Sequence, residues 1–415
     1  MMRPPGHYIA RPSLRPATML LWILAGVSTM LLVYEGSTLL GSVLGPLREN
    51  PHALQTDFHY YYDAAIRFRQ DPQRLYLASD DVIAGFTYPP PAIVPFATLS
   101  NLSLGSALVW LTTASYAALL VSAWLWRVFL SRQGVRASGV EWIVVALVIL
   151  ACGPTYMNAI FGQVNAFVLL SCVVFMTLAR SSPAGAGTLL ALGAWLKIYP
   201  GLLTAGAAWD RRLSRATLHA IVATAAIVVV LLPIVPLSAY QTFFADVIPS
   251  RFDKTAIHIT NQSLTAFLER FRYPSGQFLN WTGEQAVTVA AAVRWANWSG
   301  ALIALAWFGL RYRRGDQVAS TASLIALVAV IAPLGWGHTY MLVVPLLMLH
   351  VAAMRDAATA RATFVFLCVT ALMIPAGRRL PIDSWPDWLE NVVYSRYLLA
   401  TLALMGLTHF SDRRN

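Results

Sequence analysis

Between Met19 and Leu40 the only charged side chain is Glu35, and segments of the same apolar character recur to the C-terminus. A helix needs roughly 20 mostly apolar residues to cross a bilayer. A chain built from such runs is therefore expected to place helices in lipid. The composition of its 415 residues agrees, at 57% hydrophobic and 12% charged with a mean hydropathy of +0.59; soluble domains are far more polar. The first run follows Arg3, Arg11 and Arg15, as a secretory signal would. It is too long for one and lacks a small-residue cleavage site, so a retained first span is expected.

The distribution of arginine sets the expected topology. Basic clusters at Arg127/Arg132/Arg136, Arg180, Arg211/Arg212/Arg215, Arg311/Arg313/Arg314, Arg355/Arg361 and Arg413/Arg414 each adjoin an apolar segment. By the positive-inside rule they read as cytoplasmic together with both termini. The net charge of +11 is spread over these clusters rather than gathered on a polar domain, so a nucleic-acid partner is not expected. The spans read from the sequence are Met19 to Leu40, Leu104 to Trp126, Trp142 to Met157, Ala166 to Ala179, Leu218 to Val235, Trp298 to Leu310, Ala319 to Pro333, Tyr340 to Met354, Thr363 to Ala376 and Val392 to Thr408. Two segments read as broken or re-entrant helices, Ala92 to Leu99 and Thr188 to Trp209, the second turning near Pro200. The expected fold is thus an all-α integral membrane protein of the cell (inner) membrane: a single domain over residues 1–415, with about 10 full spans and two long outer loops, 41–91 and 236–297.

Inside the second outer loop, "NQSLTAFLERF" spaces Leu264, Phe267, Leu268 and Phe271 helically, with Glu269 and Arg270 on another face; this reads as a short helix lying on the membrane surface. Cys152, Cys172 and Cys368 fall in apolar segments without metal-ligand spacing, and no metal or cofactor is expected. Asp80 and Asp81 read as a solvated pair. The N-x-S/T matches at Asn101, Asn261, Asn280 and Asn297 are too common by chance to imply glycosylation.

Polar groups at membrane depth are costly, so those that occur there are informative. Asp57 and His59 follow the first span, Tyr88 precedes "PPP", Gln163 and Asn165 sit in "FGQVN", and Lys197 interrupts "WLKIYPG". Asn261 and Gln262 open the surface helix, and His338 sits in "GWGH". On the arginine-derived topology all of them fall near one outer surface, which points to a site there. Each has a plainer reading. Asp57 caps a helix predicted over Phe58 to Gln70; His59, Asp63 and Arg67 form a solvated stripe; "YPPPAIVP" is a rigid extended segment; Gln163 and Asn165 close a turn. Lys197, one of two lysines in the chain, snorkels to the headgroups on its plain reading. Glu35 faces the same cavity or simply ends the first span.

In order along the chain, the Tyr-rich first outer loop with Asp57, then "FTYPPPAIVPFATL", "FGQVNAFVLL", "WLKIYPGLL", "NQSL" and "GWGHTYMLVVPLLML", resemble glycosyltransferase family 87, the polyprenyl-phosphate-mannose-dependent α-1,2-mannosyltransferases of the GT-C superfamily. The resemblance covers nearly the whole chain. It implies a GT-C-type multi-span helical bundle, inverting transfer from a lipid-linked sugar, and an active site on the outer side. It also implies that Asp57 is the catalytic base and His338 the family's late-turn histidine.

Independent chemistry agrees. A glycosidase needs two carboxyl groups because an alkoxide leaves poorly, whereas a phosphate leaves well and one base suffices. Lys197, His338 and Arg270 are then the expected donor-phosphate ligands. Gln163, Asn165, Asn261 and Gln262 are the expected sugar or acceptor contacts, with Tyr60, Tyr61 and Tyr88 stacking on sugar or isoprenoid. The expected partners are a polyprenyl-phosphate sugar donor, a lipid or glycan acceptor and membrane lipids. The competing reading is a lipid or lipid-linked-sugar flippase, whose broken helices would look similar but normally come in repeated halves. A non-catalytic assembly partner is a third.

Overall fold

The computed structural model describes residues 16–49, 57–76, 85–280, 286–382 and 385–409. Arg3, Arg11, Arg15, Asp80, Asp81, Arg413 and Arg414 lie outside the described residues. The architecture is nearly all helical. The N-terminal half runs α1 (Pro16–Glu49), α2 (Asp57–Gln70), α3 (Ile93–Leu99), α4 (Leu104–Arg132), α5 (Gly139–Ala151), α6 (Gly153–Ile160), α7 (Asn165–Leu178) and α8 (Pro183–Leu196). It continues through a 3-10 stretch, Tyr199–Ala208, into α9 (Arg211–Leu231), α10 (Leu237–Thr242) and α11 (Ile248–Asp253). A two-stranded hairpin pairs β1 (Lys254–Ala256) with β2 (Ala286–Thr288), and between its strands lie α12 (Leu264–Arg270) and α13 (Ser275–Leu279). The remainder is α14 (Ala291–Arg313), α15 (Gln317–Ile331), the 3-10 stretch Gly337–Val343, α16 (Val344–Ala352), α17 (Thr359–Met373), α18 (Asp387–Tyr394) and α19 (Arg396–His409).

Length and apolarity together qualify three described helices as single-helix crossings: Pro16–Leu39 of α1, α4, and Leu213–Leu231 of α9. A fourth forms if α5 and α6, bent by 44° between them, are counted as one span. The expectation of about 10 full spans thus exceeds what helix length alone supports. Most of the other candidates are shorter apolar helices, among them α7, α8, α15, α17 and most of α19. The reason is packing. α7 and α15 are enclosed in the main core with Val168, Leu169, Cys172, Ile325 and Val328, whereas only 17% of the α9 window is buried. Leu218, Ile221, Val222, Val229 and Val230 on α9, with Trp110 and Trp124 on α4, are exposed. Such a surface is stable against lipid and not against water.

Capping helps set the helix starts. Ser103 Oγ accepts the Ser106 N–H at the start of α4, and Ser138 with Glu141 forms a capping box on α5. The re-entrant segment has a simple geometry. α8 ends as Lys197 turns extended (φ −149°, ψ 125°), and the chain returns through the 3-10 stretch. Arg180, just before α8, lies 3.8 Å from Asp210, just after that stretch, so the segment leaves and returns at one end of the bundle.

Both loops expected on the outer side are folded where they are described. α2 covers the predicted helix, and "YPPP" runs extended at Pro89 into a buried 3-10 turn before α3. Phe58, Tyr61, Phe68, Phe86, Tyr88, Ile93 and Phe96 form a second apolar cluster there. The second loop, with α18, forms a cap around Ile257, Ile259, Phe278, Ile382 and Tyr394. Its helix α12 reverses the expected orientation: Glu269 and Arg270 are fully buried and Phe271, which follows it, is half-exposed. The charged pair is the inward face because it has partners there. Glu269 accepts the Ala290 N–H at 2.6 Å and pairs with Arg272, while Arg270 donates to Asn391 Oδ1 and to carbonyls of the cap.

Candidate active site

The site is assembled from three turns. In "FGQVN", between α6 and α7, Gly162 adopts φ +61°, and a Cβ there would sit 2.5 Å from the Phe58 Cβ. Glycine alone gives the turn this hand and this approach to α2. The Phe58 N–H donates to the Phe161 carbonyl at 3.1 Å, fastening the first turn of α2 to the same place. Asp57 begins α2 and Gln163 follows Gly162, so their side chains meet. The break after α8 delivers Lys197 from a second direction.

The third turn, "GWGH", carries His338 and is braced by the cap. The Gln262 N–H donates to the Gly335 carbonyl and the Gly337 N–H to the Thr260 carbonyl, each at 2.8 Å, and the Tyr340 hydroxyl donates to the Gln262 carbonyl at 2.6 Å. A Cβ on Gly337 would approach Met157 Sδ to 2.6 Å, so the turn seats directly on α6.

These turns bring seven of the expected residues into one hydrogen-bonded network. Gln163 Nε2 donates to Asp57 Oδ2 and, at 2.8 Å, to the Tyr61 hydroxyl. Gln163 Oε1 accepts from the Tyr88 hydroxyl at 2.7 Å and from Lys197 Nζ at 3.2 Å. Lys197 Nζ also donates to Asn165 Oδ1 at 3.0 Å and lies 5.4 Å from the centre of the Tyr88 ring. Asn165 Nδ2 lies 2.9 Å from His338 Nδ1, and His338 Nε2 lies 3.6 Å from Asp57 Oδ2. Of the Asp57 side chain 36% is exposed, against 3% for His338. The network therefore opens outward through the carboxylate.

Several expected contacts are corrected by this geometry. Gln163 and Asn165 are buried, and the oxygen and nitrogen of each amide are already bonded to protein groups, which leaves little capacity for sugar hydroxyls. Tyr61 and Tyr88 have their rings packed against each other at 4.6 Å and against Phe96, so their faces are not open platforms. Tyr60 is 45% exposed and sits edge-on to His59, apart from the network.

The other corrections fall in the cap. Asn261 Nδ2 donates to the Ala256 carbonyl at 2.8 Å and to Thr255 Oγ1. Gln262 Nε2 donates to the Ile259 and Tyr394 carbonyls, and its Oε1 accepts the Tyr397 N–H. Arg270, 1% exposed, is spent on Asn391 Oδ1, Ser395 Oγ and the carbonyls of Asn261, His258 and Ile257. None of these three reaches the Asp57 network through its side chain; they hold the turn that carries His338. Arg379 donates to the Leu279 carbonyl and Asn280. Glu35 is buried on α1, and no hydrogen bond among the described residues joins it to the network. His59 and Asp63 pair at 3.0 Å on the more exposed side of α2, the solvated stripe expected of them.

Two contributors were missed. Asn158, buried on α6, accepts through Oδ1 from the backbone N–H and the Nδ2 of Asn165. It falls one residue past the predicted third span, inside the same apolar stretch that made Gln163 conspicuous. Tyr199 donates to Asn165 Oδ1 at 3.3 Å from within "KIYPG".

Comparison with known proteins supplies the class. A polyprenol-phosphate-mannose-dependent alpha-(1-2)-phosphatidylinositol mannoside mannosyltransferase from Mycolicibacterium smegmatis is 26% identical over 369 residues, covering 79% of this chain and 78% of that one. A protein of the same description from Mycobacterium tuberculosis is 25% identical over 417 residues, covering 94% and 90%. No solved structure matches. The model of glycosyltransferase family 87 matches residues 86–334, the stretch holding "YPPP", "FGQVN", Lys197 and "NQSL" and ending just before the "GWGH" turn, and the chain belongs to that family.

Proposed function

We propose that the protein transfers a hexose, mannose in the first instance, from a polyprenyl-phosphate carrier to a hydroxyl of an envelope glycolipid or glycan, with inversion and at the non-cytoplasmic face. The observation that carries this reading is the half-open Asp57 carboxylate, held by Gln163 Nε2 and faced by His338, with Lys197 one amide behind it. The relatives' names supply the donor and the sugar. The acceptor hydroxyl attacks the anomeric carbon from the face opposite the phosphate and passes its proton to Asp57. The bond from the anomeric carbon to the phosphate oxygen breaks, and its electron pair leaves with the polyprenyl phosphate. Positive charge near that oxygen, from Lys197, stabilises the charge it gains, while His338 faces the base. Topology supports the outer face: α4 is about 43 Å long at 1.5 Å per residue and carries Arg132 at one end. Tyr62 of α2 is bonded at its other end, to the Leu102 carbonyl.

Turnover tests the proposal. Purified protein in detergent, with no sealed compartment, is expected to convert labelled polyprenyl-phosphate mannose and a phosphatidylinositol mannoside to product; a flippase would yield none. Asp57→Asn keeps side-chain size and is expected to lower transfer by about 10²- to 10⁴-fold with donor binding retained. Near-normal transfer in that variant removes Asp57 as the base.

A further inference from the structure

The network decides a proton position that no single contact shows. The oxygen and nitrogen ends of an Asn or Gln amide are nearly alike in shape, so each must be assigned from its partners. Lys197 is donor-only, which makes the atom it meets on Asn165, at 3.0 Å, the oxygen. The opposite end is fixed independently. Asn158 Oδ1 accepts the Asn165 backbone N–H at 3.1 Å, so it is an acceptor, and the Asn165 side-chain atom 3.2 Å away is the nitrogen. Both constraints give one answer. Asn165 Nδ2, a donor, faces His338 Nδ1 at 2.9 Å.

We propose that Asn165, clamped between Lys197 and Asn158, is a positioning residue that locks His338 as the tautomer with its proton on Nε2. That N–H then points toward Asp57 Oδ2, 3.6 Å away. Gln163 Nε2, oriented by the same lysine, supplies the other N–H to that carboxylate oxygen. The alternative tautomer would turn the Nε2 lone pair toward the carboxylate. Lys197 on this view acts on Asp57 through two amides, in addition to any contact with the donor. The charged groups facing His338 are Asp57 and Lys197. The inference deepens the proposed function, since the tautomer matters for transfer only if Asp57 is the base.

The test reads the proton directly. Protein labelled with 15N-histidine contributes eight histidines, and the His338 signals are those lost in His338→Gln. Neutral His338 is expected to show a protonated Nε2 and a bare Nδ1. Asn165→Asp keeps the acceptor toward Lys197 but presents an oxygen to Nδ1, and is expected to move the proton to Nδ1. In the same variant kcat is expected to fall about 10- to 100-fold, as for lost outer-shell partners, with the donor KM within about 2-fold. A wild-type protein with the proton on Nδ1, or with both tautomers populated, overturns the inference without recourse to any variant. An unchanged His338 spectrum in folded Asn165→Asp overturns it as well. The spectrum needs no substrate, so the two claims fail separately. The expected tautomer without turnover rejects the proposed function, and turnover with the wrong tautomer rejects the positioning role.

Discussion

Arg270 was expected to bind the donor phosphate and is found holding the cap together, and the two roles separate sharply in Arg270→Met. The guanidinium donates to Asn391 Oδ1, Ser395 Oγ and the Asn261 carbonyl, each at 2.8 Å, and to His258 and Ile257 carbonyls at 3.2 and 3.4 Å. Removing it also removes the desolvation cost of its charge, so these bonds do not simply sum. What remains is the set of acceptors left behind. His258 O keeps the Asn261 N–H, and Asn391 Oδ1 keeps the Ser395 hydroxyl. The Asn261 and Ile257 carbonyls lose the guanidinium partner, at about 1–3 kcal/mol for each acceptor left buried and unpaired. A loss of about 2–5 kcal/mol is therefore expected, read as a lower midpoint in thermal unfolding of the detergent-solubilised protein. Asn261 lies in the bridge to Trp336, so the "GWGH" turn should loosen with it. Activity is then expected to fall through kcat. A variant as stable as wild type whose donor KM alone rises would restore Arg270 to the phosphate and refute this reasoning.

Three further outcomes are expected. Gly162→Ala forces a side chain into φ +61° and against Phe58; it should cost about 1–2 kcal/mol in backbone strain with more from overpacking, and a variant of unchanged melting temperature would show that the turn can move. His258 accepts the Thr260 N–H on Nδ1, and burial followed by the Arg270 and Arg379 charges pushes it down to about 4 from 6.5. Between those values the unfolded chain binds a proton that the folded chain does not, so this stability is complete above about 6.5 and is lost as pH falls toward 4. The loss should be about 3 kcal/mol and should flatten in His258→Gln; identical melting-versus-pH slopes in the two proteins would rule it out. The three native cysteines are buried, so a single added cysteine at Gln277 should label with an impermeant reagent applied outside intact cells, and one at Gly315 should not. The reverse pattern would invert the topology and remove the outer-face assignment.

Much of the site was legible because lipid penalises polar side chains, so those present in apolar sequence stand out. Asp57, Gln163, Asn165, Lys197 and His338 stand out in this way, and the structure joins them. Asn261, Gln262 and Arg270 stand out equally, yet their side chains bond within the cap. Rarity marks a polar residue as satisfied by something, and sequence does not say whether the partner is a ligand or the chain itself. Here the partners are carbonyls and side chains of the cap. Asn158 escaped because a single amide within an apolar helix has no distinguishing pattern until its neighbour in space is known.

The sequence by itself determined the solvent: runs as long as Met19 to Leu40 commit the chain to helices against lipid. It also determined the order of the turns that carry chemistry, because glycine, proline and isolated polar residues punctuate such runs. Only the tertiary structure decided which face of α12 is buried. Helical periodicity separates two faces but does not say which one has partners, and Glu269 and Arg270 find theirs inward. It alone decided, too, that the amides of Gln163 and Asn165 face Lys197 with their oxygens. Hydrogen-bond direction is a property of three chain segments meeting within about 3 Å, which no local stretch of sequence contains.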